Sequence, residues 1–264
     1  NVTLAREDAR AVWIAPWLDN VQRDIAYACR VLVQRPVFTL AIVLVMGLGI
    51  GSTTGVFALL DALVLKSLPV REPERLIYLE NPSFSYPVFS ELRARGGHLF
   101  SGLFAWNVDR LNVQWTQSLE PADVLLASGD FYAILGVNAA LGRTFDSSDD
   151  RVGGGDHGLV AVISDECWRR RFSADPGVIG RQVRVERRSF TIVGVTPPGF
   201  FGVAAGLSPE IALPLTTIQD QETLRARFAS WLHLMGRLRD GRSLTQANAE
   251  FAPMWQATLE ATTD

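Results

Sequence analysis

From Phe38 to Leu60 the chain runs 23 residues without a charge, FTLAIVLVMGLGIGSTTGVFALL, and twelve of these are Leu, Ile, Val or Phe. As a helix the run spans roughly 35 Å at about 1.5 Å per residue, enough to cross about 30 Å of hydrocarbon with a slight tilt. Asp61 follows at once and would stand at the far headgroups. A cleaved signal peptide fits worse, because the apolar run is too long and 37 residues precede it. A buried helix of a soluble protein is the competing reading. Upstream, Leu18, Val21, Ile25, Cys29 and Leu32 recur at three- and four-residue steps, with Arg23, Asp24 and Arg30 on other faces. This pattern predicts an amphipathic helix ending near Pro36. Trp13 and Trp17 lie ahead of it, residues suited to the membrane–water boundary. An elbow helix on the inner leaflet and an ordinary helix packed on another domain both fit.

Beyond the span the periodicity changes. Arg75–Glu80 reads as a strand, Pro87 opens a helix and Gly96-Gly97 closes it. Residues 101–106 and 110–116 alternate apolar and polar, which predicts a hairpin turning at Asn107-Val-Asp-Arg. Asp123–Ser128 is expected to be a short strand, Gly129–Leu135 a short helix and Leu159–Ile163 a buried strand. Ser164 is expected to cap a helix carrying Trp168 and Arg169–Arg171. Val183–Glu186 and Phe190–Val195 predict a second hairpin around Arg187-Arg188-Ser189, and a Pro- and Gly-rich loop over 197–209 leads to a strand at 211–215. Pro197, Pro198, Pro209 and Pro214 forbid a second spanning helix there. After the apolar stretch Trp231–Leu238, Gly241 breaks the chain, and Ser243 caps a helix bearing Leu244, Ala247 and Phe251. Strands and helices mix without regular βαβ alternation, so the expected fold class is α+β.

Orientation is not set by charge. Arg23, Arg30 and Arg35 before the span balance Lys66, Arg71 and Arg75 after it. Because about 200 residues follow with no second span, export of that part behind an N-terminus-in anchor is expected. The expected organisation is a cytoplasmic segment with the elbow helix (1–36), the spanning helix and its extension (37–65), and an outer domain (66–264) incomplete at its C-terminus. Within the span, Gly47, Gly51 and Gly55 repeat every four residues, which places them on one helix face where another helix can approach closely. Ser52 and Thr54 flank that face and could hydrogen-bond to a neighbour. Glycines are also tolerated in a helix that faces only lipid.

Composition adds exclusions. Net charge is −3 and no run of five basic residues occurs, so nothing points to nucleic acid. The charged and apolar fractions are ordinary, and the mean hydropathy of +0.14 owes much to the span. The two cysteines, Cys29 and Cys167, fall on opposite sides of the span and cannot pair within the chain. His98, His157 and His233 show no metal-ligand spacing, and no nucleophile elbow or Walker motif is present. Asp146, Asp149, Asp150 and Asp156, with glycines 153–155, lack EF-hand spacing and read better as a solvated loop than as a calcium site. Arg169–Arg171 could bind an anion or form an ordinary polar helix face. No catalytic, cofactor or metal residues are assigned.

Three stretches carry a resemblance: DIAYACRVLVQRPVF from Asp24, with GLGIGS from Gly47 and DALVLKSLPV from Asp61; VISDECWRRRF from Val162, with DPGVIGR from Asp175 and FTIVGVTPPGF from Phe190; and GRLRDGRSLTQA from Gly236. Together they resemble MacB/FtsX-type ABC transporter permeases, in particular the large duplicated permeases of acidobacteria. The resemblance implies a first transmembrane helix, a periplasmic core domain of two α+β lobes and three further helices beyond this sequence. It also implies a bacterial inner-membrane location and a separate ABC ATPase, since MacB carries an ATPase ahead of its first helix and only a short segment precedes it here. A second permease half or copy, membrane lipid and a periplasmic or outer-membrane protein are the other implied partners. The expected function is therefore a permease subunit that couples a partner's ATP-driven motion to a periplasmic domain, for efflux or mechanotransmission. The alternative is a single-pass, membrane-anchored binding or sensor module.

Overall fold

In the computed structural model of the chain, residues 23–25, 27, 28, 30–60, 70–79, 83–115, 118–200, 202, 203 and 206–263 are described. The chain forms two compact units, with the boundary after Lys66. In the first, Pro36 opens helix α1 (Pro36–Leu60), and Arg35 ahead of it leaves the helical conformation because the proline ring crowds the residue before it. Residues 30–34 are helical up to that break, as are 23–25, 27 and 28. Thr39 tends the break by donating its hydroxyl to Leu32 O (2.6 Å) and Arg35 O (3.1 Å), and so satisfies the Leu32 carbonyl that Pro36, lacking an N–H, cannot. Among the described residues one helix, Pro36–Gly55, is long and apolar enough to cross a membrane. Trp13, Trp17, Leu18, Val21 and Cys29 lie outside the described residues.

The second unit is a mixed α+β domain built on one sheet. Its strands are β1 (Leu76–Tyr78), β2 (Phe100–Gln114), β3 (Leu119–Ala127), β4 (Leu141–Gly142), β5 (Val160–Ile163), β6 (Gln182–Val185), β7 (Arg188–Val195), β8 (Ile211–Pro214) and β9 (His233–Leu238). They run in the order β1-β9-β2-β3-β8-β5-β7-β4, and β6 joins β2 to β7. The pairings β2-β3-β8-β5-β7-β6 return to β2 and so close a ring, with β3/β8 and β5/β7 parallel and the other contacts antiparallel. Outside the ring, β9 and β1 extend the sheet from the first half of β2. Helices α2 (Tyr86–Arg95), α3 (Phe131–Leu135), α4 (Asp165–Phe172), α5 (Leu215–Ile218), α6 (Gln221–Arg225) and α7 (Leu244–Thr263) pack around it.

Strand β2 is where sequence pattern and structure part. The hairpin expected at Asn107–Arg110 does not form; those four residues lie opposite Leu126–Asp123 in an unbroken antiparallel ladder. A tight hairpin needs residues that accept positive φ, and this tetrapeptide has no glycine and includes β-branched Val108. Its polar character has another source: residues 107–112 are only half-buried or exposed, whereas 103–106 are buried on both faces. One 15-residue strand thus serves both parts of the sheet, pairing β9 up to Trp106 and β3 from Trp106 onward.

Alternation along the strands sorts the core into layers. Val124, Leu126, Ala161, Ile163 and Phe190 point into the ring with Cys167 of α4. Their immediate neighbours Leu125, Ala127, Val160 and Val162 face the other way, toward Phe131, Tyr132 and Phe145. On the extension, Leu103, Ala105, Leu234 and Leu238 are covered by Val88, Phe89 and Leu92 of α2 and by Ala247 and Met254 of α7. Pro87 sits in the first turn of α2 and Gly96 caps it. Ser164 Oγ accepts from Cys167 N (3.1 Å) at the start of α4. The β6–β7 turn is Glu186-Arg187, with Glu186 at φ 53°; its carboxylate accepts from Asn112 N (2.8 Å), which ties the turn to β2.

Candidate functional site

Two surfaces merit consideration, one in each unit. On α1, the face bearing Gly47, Gly51 and Gly55 is open, and a Cβ added at any of the three would meet nothing within 4 Å. Ser52 donates its hydroxyl to Gly49 O (3.2 Å), and Thr53 donates to the same carbonyl (2.9 Å). The hydroxyls of Ser52 and Thr53 are therefore satisfied inside the helix.

The second surface is the entry to the domain. Arg71 N donates to Leu135 O (2.9 Å), which fixes the incoming chain to the end of α3. Glu72 then adopts φ 45° and starts a short 3-10 turn, Pro73–Arg75. Arg75 anchors that turn: Nη2 donates to Leu238 O (2.6 Å), Nη1 to Glu72 Oε2 (2.7 Å), and Nη1 also pairs with Asp240. Behind it, Arg237 of β9 donates from Nη1 to Glu72 O and from Nε to Ile134 O, both at 2.9 Å. Leu76, Ile77 and Tyr78 then pair with Arg237, Gly236 and Met235. The first and last strands of the domain are thus adjacent in one sheet, and β9 leads straight to α7. There Ser243 Oγ accepts from Gln246 N (3.3 Å) while Gln246 Oε1 accepts from Ser243 N (3.1 Å), a reciprocal cap. Trp255 of α7 meets Phe84 edge-on at 5.6 Å, holding the helix against the sheet extension.

Beside this entry lies a cleft of about 670 Å³ whose wall includes Arg71, Arg75, Arg93, Arg237 and Arg239, with Glu72, Asp130 and Asp240 as its carboxylates. Phe100, Leu103 and Ile134 form an apolar part of the same wall. Gly102 is required there: the ladder shifts register between Phe100 and Gly102, and a Cβ at Gly102 would lie 2.6 Å from Ile134 Cγ1. Arg237, Arg239 and Asp240 fall in the GRLRDGRSLTQA run from Gly236 that carries part of the resemblance, whereas the other residues of the wall lie in no motif. A further signal was Arg237, a charged residue within the otherwise apolar run Leu234–Leu238.

The other polar clusters serve the fold. Arg171 Nε donates to Glu210 Oε2 (2.7 Å) and Nη1 to Glu120 Oε2 (2.9 Å), and its guanidinium lies 4.8 Å from the Trp115 ring centroid. Arg170 pairs with Glu210 (2.7 Å) and Arg169 with Asp165 (2.8 Å), so the three arginines of α4 are engaged internally. The hydrogen bond from Arg171 holds Glu120 below the ordinary carboxylate value. Burial alone would raise Glu210, but hydrogen bonds from Arg171 and Arg170 outweigh it and hold it low.

The acidic loop is solvated only in part: Asp146 and Asp156 are exposed as its composition suggests, but Asp149 and Asp150 are drawn into the fold. Asp149 is fully buried and accepts two bonds from Arg143 (2.6 and 3.0 Å) and one from Asp146 N (3.1 Å). Asp150 accepts from Gly129 N, Thr216 N and Thr216 Oγ1 at 2.9 Å each, and burial pushes its carboxyl up. These aspartates join segments of chain that composition cannot relate. Asp156 stays exposed. Cys167 is buried, and burial pushes its thiol up to about 12, which removes thiolate reactivity at neutral pH. His233 Nδ1 lies 2.7 Å from Tyr78 Oη and His98 Nδ1 3.0 Å from Arg95 O; with His157 exposed, the histidines form no cluster.

Comparison with known proteins follows this geometry. The model of the family described as MacB-like periplasmic core domain matches residues 39–254, from within α1 to within α7. Among solved structures, the periplasmic region of MacB from Actinobacillus actinomycetemcomitans aligns with TM-score 0.52 at 13% identity, covering 67% of this chain and 75% of that one. A domain described as that of a permease protein from Porphyromonas gingivalis aligns with TM-score 0.52 at 18% identity, covering 70% and 81%. At these identities the likeness is one of fold. No curated protein gave a significant match.

Proposed function

The chain belongs to the MacB-like periplasmic core domain family, and from that premise we propose that it is a permease subunit of an ABC transporter whose ATP hydrolysis takes place on a separate partner chain. In this reading α1 crosses the bacterial inner membrane with its N-terminus in the cytoplasm, and the α+β domain stands in the periplasm. The observation that carries the proposal is the extent of the family match, which takes in the apolar helix and the sheet domain as one unit. The geometry of the entry supports a mechanical role. Because Arg75 and Arg237 fasten the incoming turn to the end of β9, displacement of that turn would reach β9, β2 and α7 through hydrogen bonds and strand pairing rather than through a slack linker. The face of Gly47, Gly51 and Gly55 would seat against another membrane helix, from a second permease half or copy. The long motif runs from Val162 and Phe190 favour kinship with the large duplicated permeases of acidobacteria.

Affinity purification of the full chain from its native membrane, with mass spectrometry of what accompanies it, tests the reading. It should recover an ATP-hydrolysing chain in stoichiometric amount. Recovery of a kinase or chemoreceptor-type signalling protein instead would overturn it in favour of a tethered sensor.

A further inference from the structure

We propose that the cleft at the entry to the domain binds a phosphate-type oxyanion, carried by a lipid headgroup or present as free phosphate. Its wall holds five arginines and three carboxylates, leaving an excess of two positive charges. Two of the arginines are spoken for: Arg93 pairs with Asp130, and Arg75 with Glu72 and Asp240. The other three retain donors. Arg71 approaches Glu72 no closer than 3.8 Å, and its side chain is 74% exposed. Arg239 spends Nε on the Gly97 carbonyl (2.7 Å) and has no carboxylate partner among the described residues.

Arg237 is the telling case. It is 8% exposed, its nearest carboxylate oxygen is 3.9 Å away, and its Nη2 has no hydrogen-bond partner among the described residues. A buried guanidinium with an unmet donor is costly unless an anion accompanies it. Burial depresses Arg237 below its ordinary value; Glu72 opposes this, while Arg75 and Arg71 add to it by like-charge repulsion. Nη2 itself is buried, so an oxyanion in the cleft would be held by the open donors of Arg71 and Arg239 and would offset the positive charge that crowds Arg237.

The chemistry favours phosphate over a lone carboxylate. Arginine forks from different elements can share a tetrahedral group with several acceptor oxygens, whereas one carboxylate is satisfied by a single fork. The apolar wall of Phe100, Leu103 and Ile134 strengthens such bonds by lowering the local dielectric. At about 670 Å³ the cleft admits a headgroup as well as a free ion.

The test is calorimetric titration of the full chain in an uncharged detergent at constant ionic strength. Sodium phosphate is titrated against sodium chloride, and separately a short-chain phosphatidylglycerol against the matching diacylglycerol. Saturable binding of phosphate identifies a site for the free ion, and binding of the lipid alone identifies a headgroup site. The Arg71→Gln/Arg239→Gln variant should bind at least about tenfold more weakly, since it removes two charge-assisted donors and the loss of one alone corresponds to about that factor. Arg110→Gln/Arg184→Gln, which removes two charges elsewhere, should bind as the unaltered chain does. Arg71→Gln alone changes an exposed side chain and still weakens binding if the double variant misfolds. Absence of saturable binding by either probe up to about 10 mM, or undiminished binding by the Arg71 and Arg239 variants, overturns the proposal. No ATPase takes part, so the result is independent of the coupling reading.

Discussion

Replacing Arg75 with alanine should free the entry turn from the sheet while leaving the rest of the domain folded. Arg75 Nη2 donates to Leu238 O at 2.6 Å, a bond from a charged donor worth about 1.5–3 kcal/mol. Its 2.7 Å pair with Glu72 adds little, about 0.2–1 kcal/mol, because the carboxylate is 38% exposed. The pair with Asp240, 91% exposed, is screened by solvent and adds nothing further. A loss of about 2 kcal/mol falls on the short strand β1, which corresponds to about a 30-fold rise in its open fraction. Native-state hydrogen exchange reads this directly. The Leu79 amide, bonded to Leu234 O, and those of β1 should exchange about 30-fold faster, while Thr191, bonded to Leu159 O in the ring, should keep its rate. Unchanged exchange in β1 would refute the anchoring role of Arg75. Equal acceleration in β1 and the ring would refute the claim that entry and ring open separately.

Other outcomes follow from the same structure. Asp149→Asn should destabilise the domain by about 2–3 kcal/mol in urea unfolding, less than a fully buried broken pair because Arg143 is 39% exposed; calcium should not restore the loss. Acidification should erode stability through Glu120 and Glu210. Both are held below their ordinary value of 4.5 in the fold, so their contribution is complete above that pH and is lost as pH falls through the folded-state values. In Arg171→Met, a plot of unfolding free energy against pH should be flatter over that interval. Gly51→Leu in α1 should weaken association with another membrane helix in a bilayer cross-linking assay by at least about fivefold, whereas Leu48→Ala, off the glycine face, should have little effect.

What the sequence revealed was what local pattern controls. The charge-free run announces α1, Pro87 and Gly96 bracket α2, Ser164 caps α4, and the apolar stretch Val160–Ile163 is a strand buried on both faces. The misread segment, Asn107–Arg110, shows the boundary of that logic. Half-burial within one long strand gives the same polar signature as a turn, and only the partner strand, Asp123–Leu126, distinguishes them. The entry site is hidden for a related reason. Its parts come together through Leu76 pairing with Arg237 across most of the domain's length, and no spacing rule links such positions. The acidic loop likewise matched a solvated composition because Arg143, Gly129 and Thr216, the groups that satisfy Asp149 and Asp150, reach it through the fold.

The central claim is that this domain moves in response to ATP bound by another chain. Hydrogen exchange of the purified complex in lipid nanodiscs, with and without a non-hydrolysable ATP analogue, addresses it most directly. The account predicts a change in the amides of Leu76–Leu79 and Arg237–Arg239 on nucleotide addition, reversed when the nucleotide is removed. Identical exchange at this junction in both states, with nucleotide binding to the partner confirmed, would contradict it.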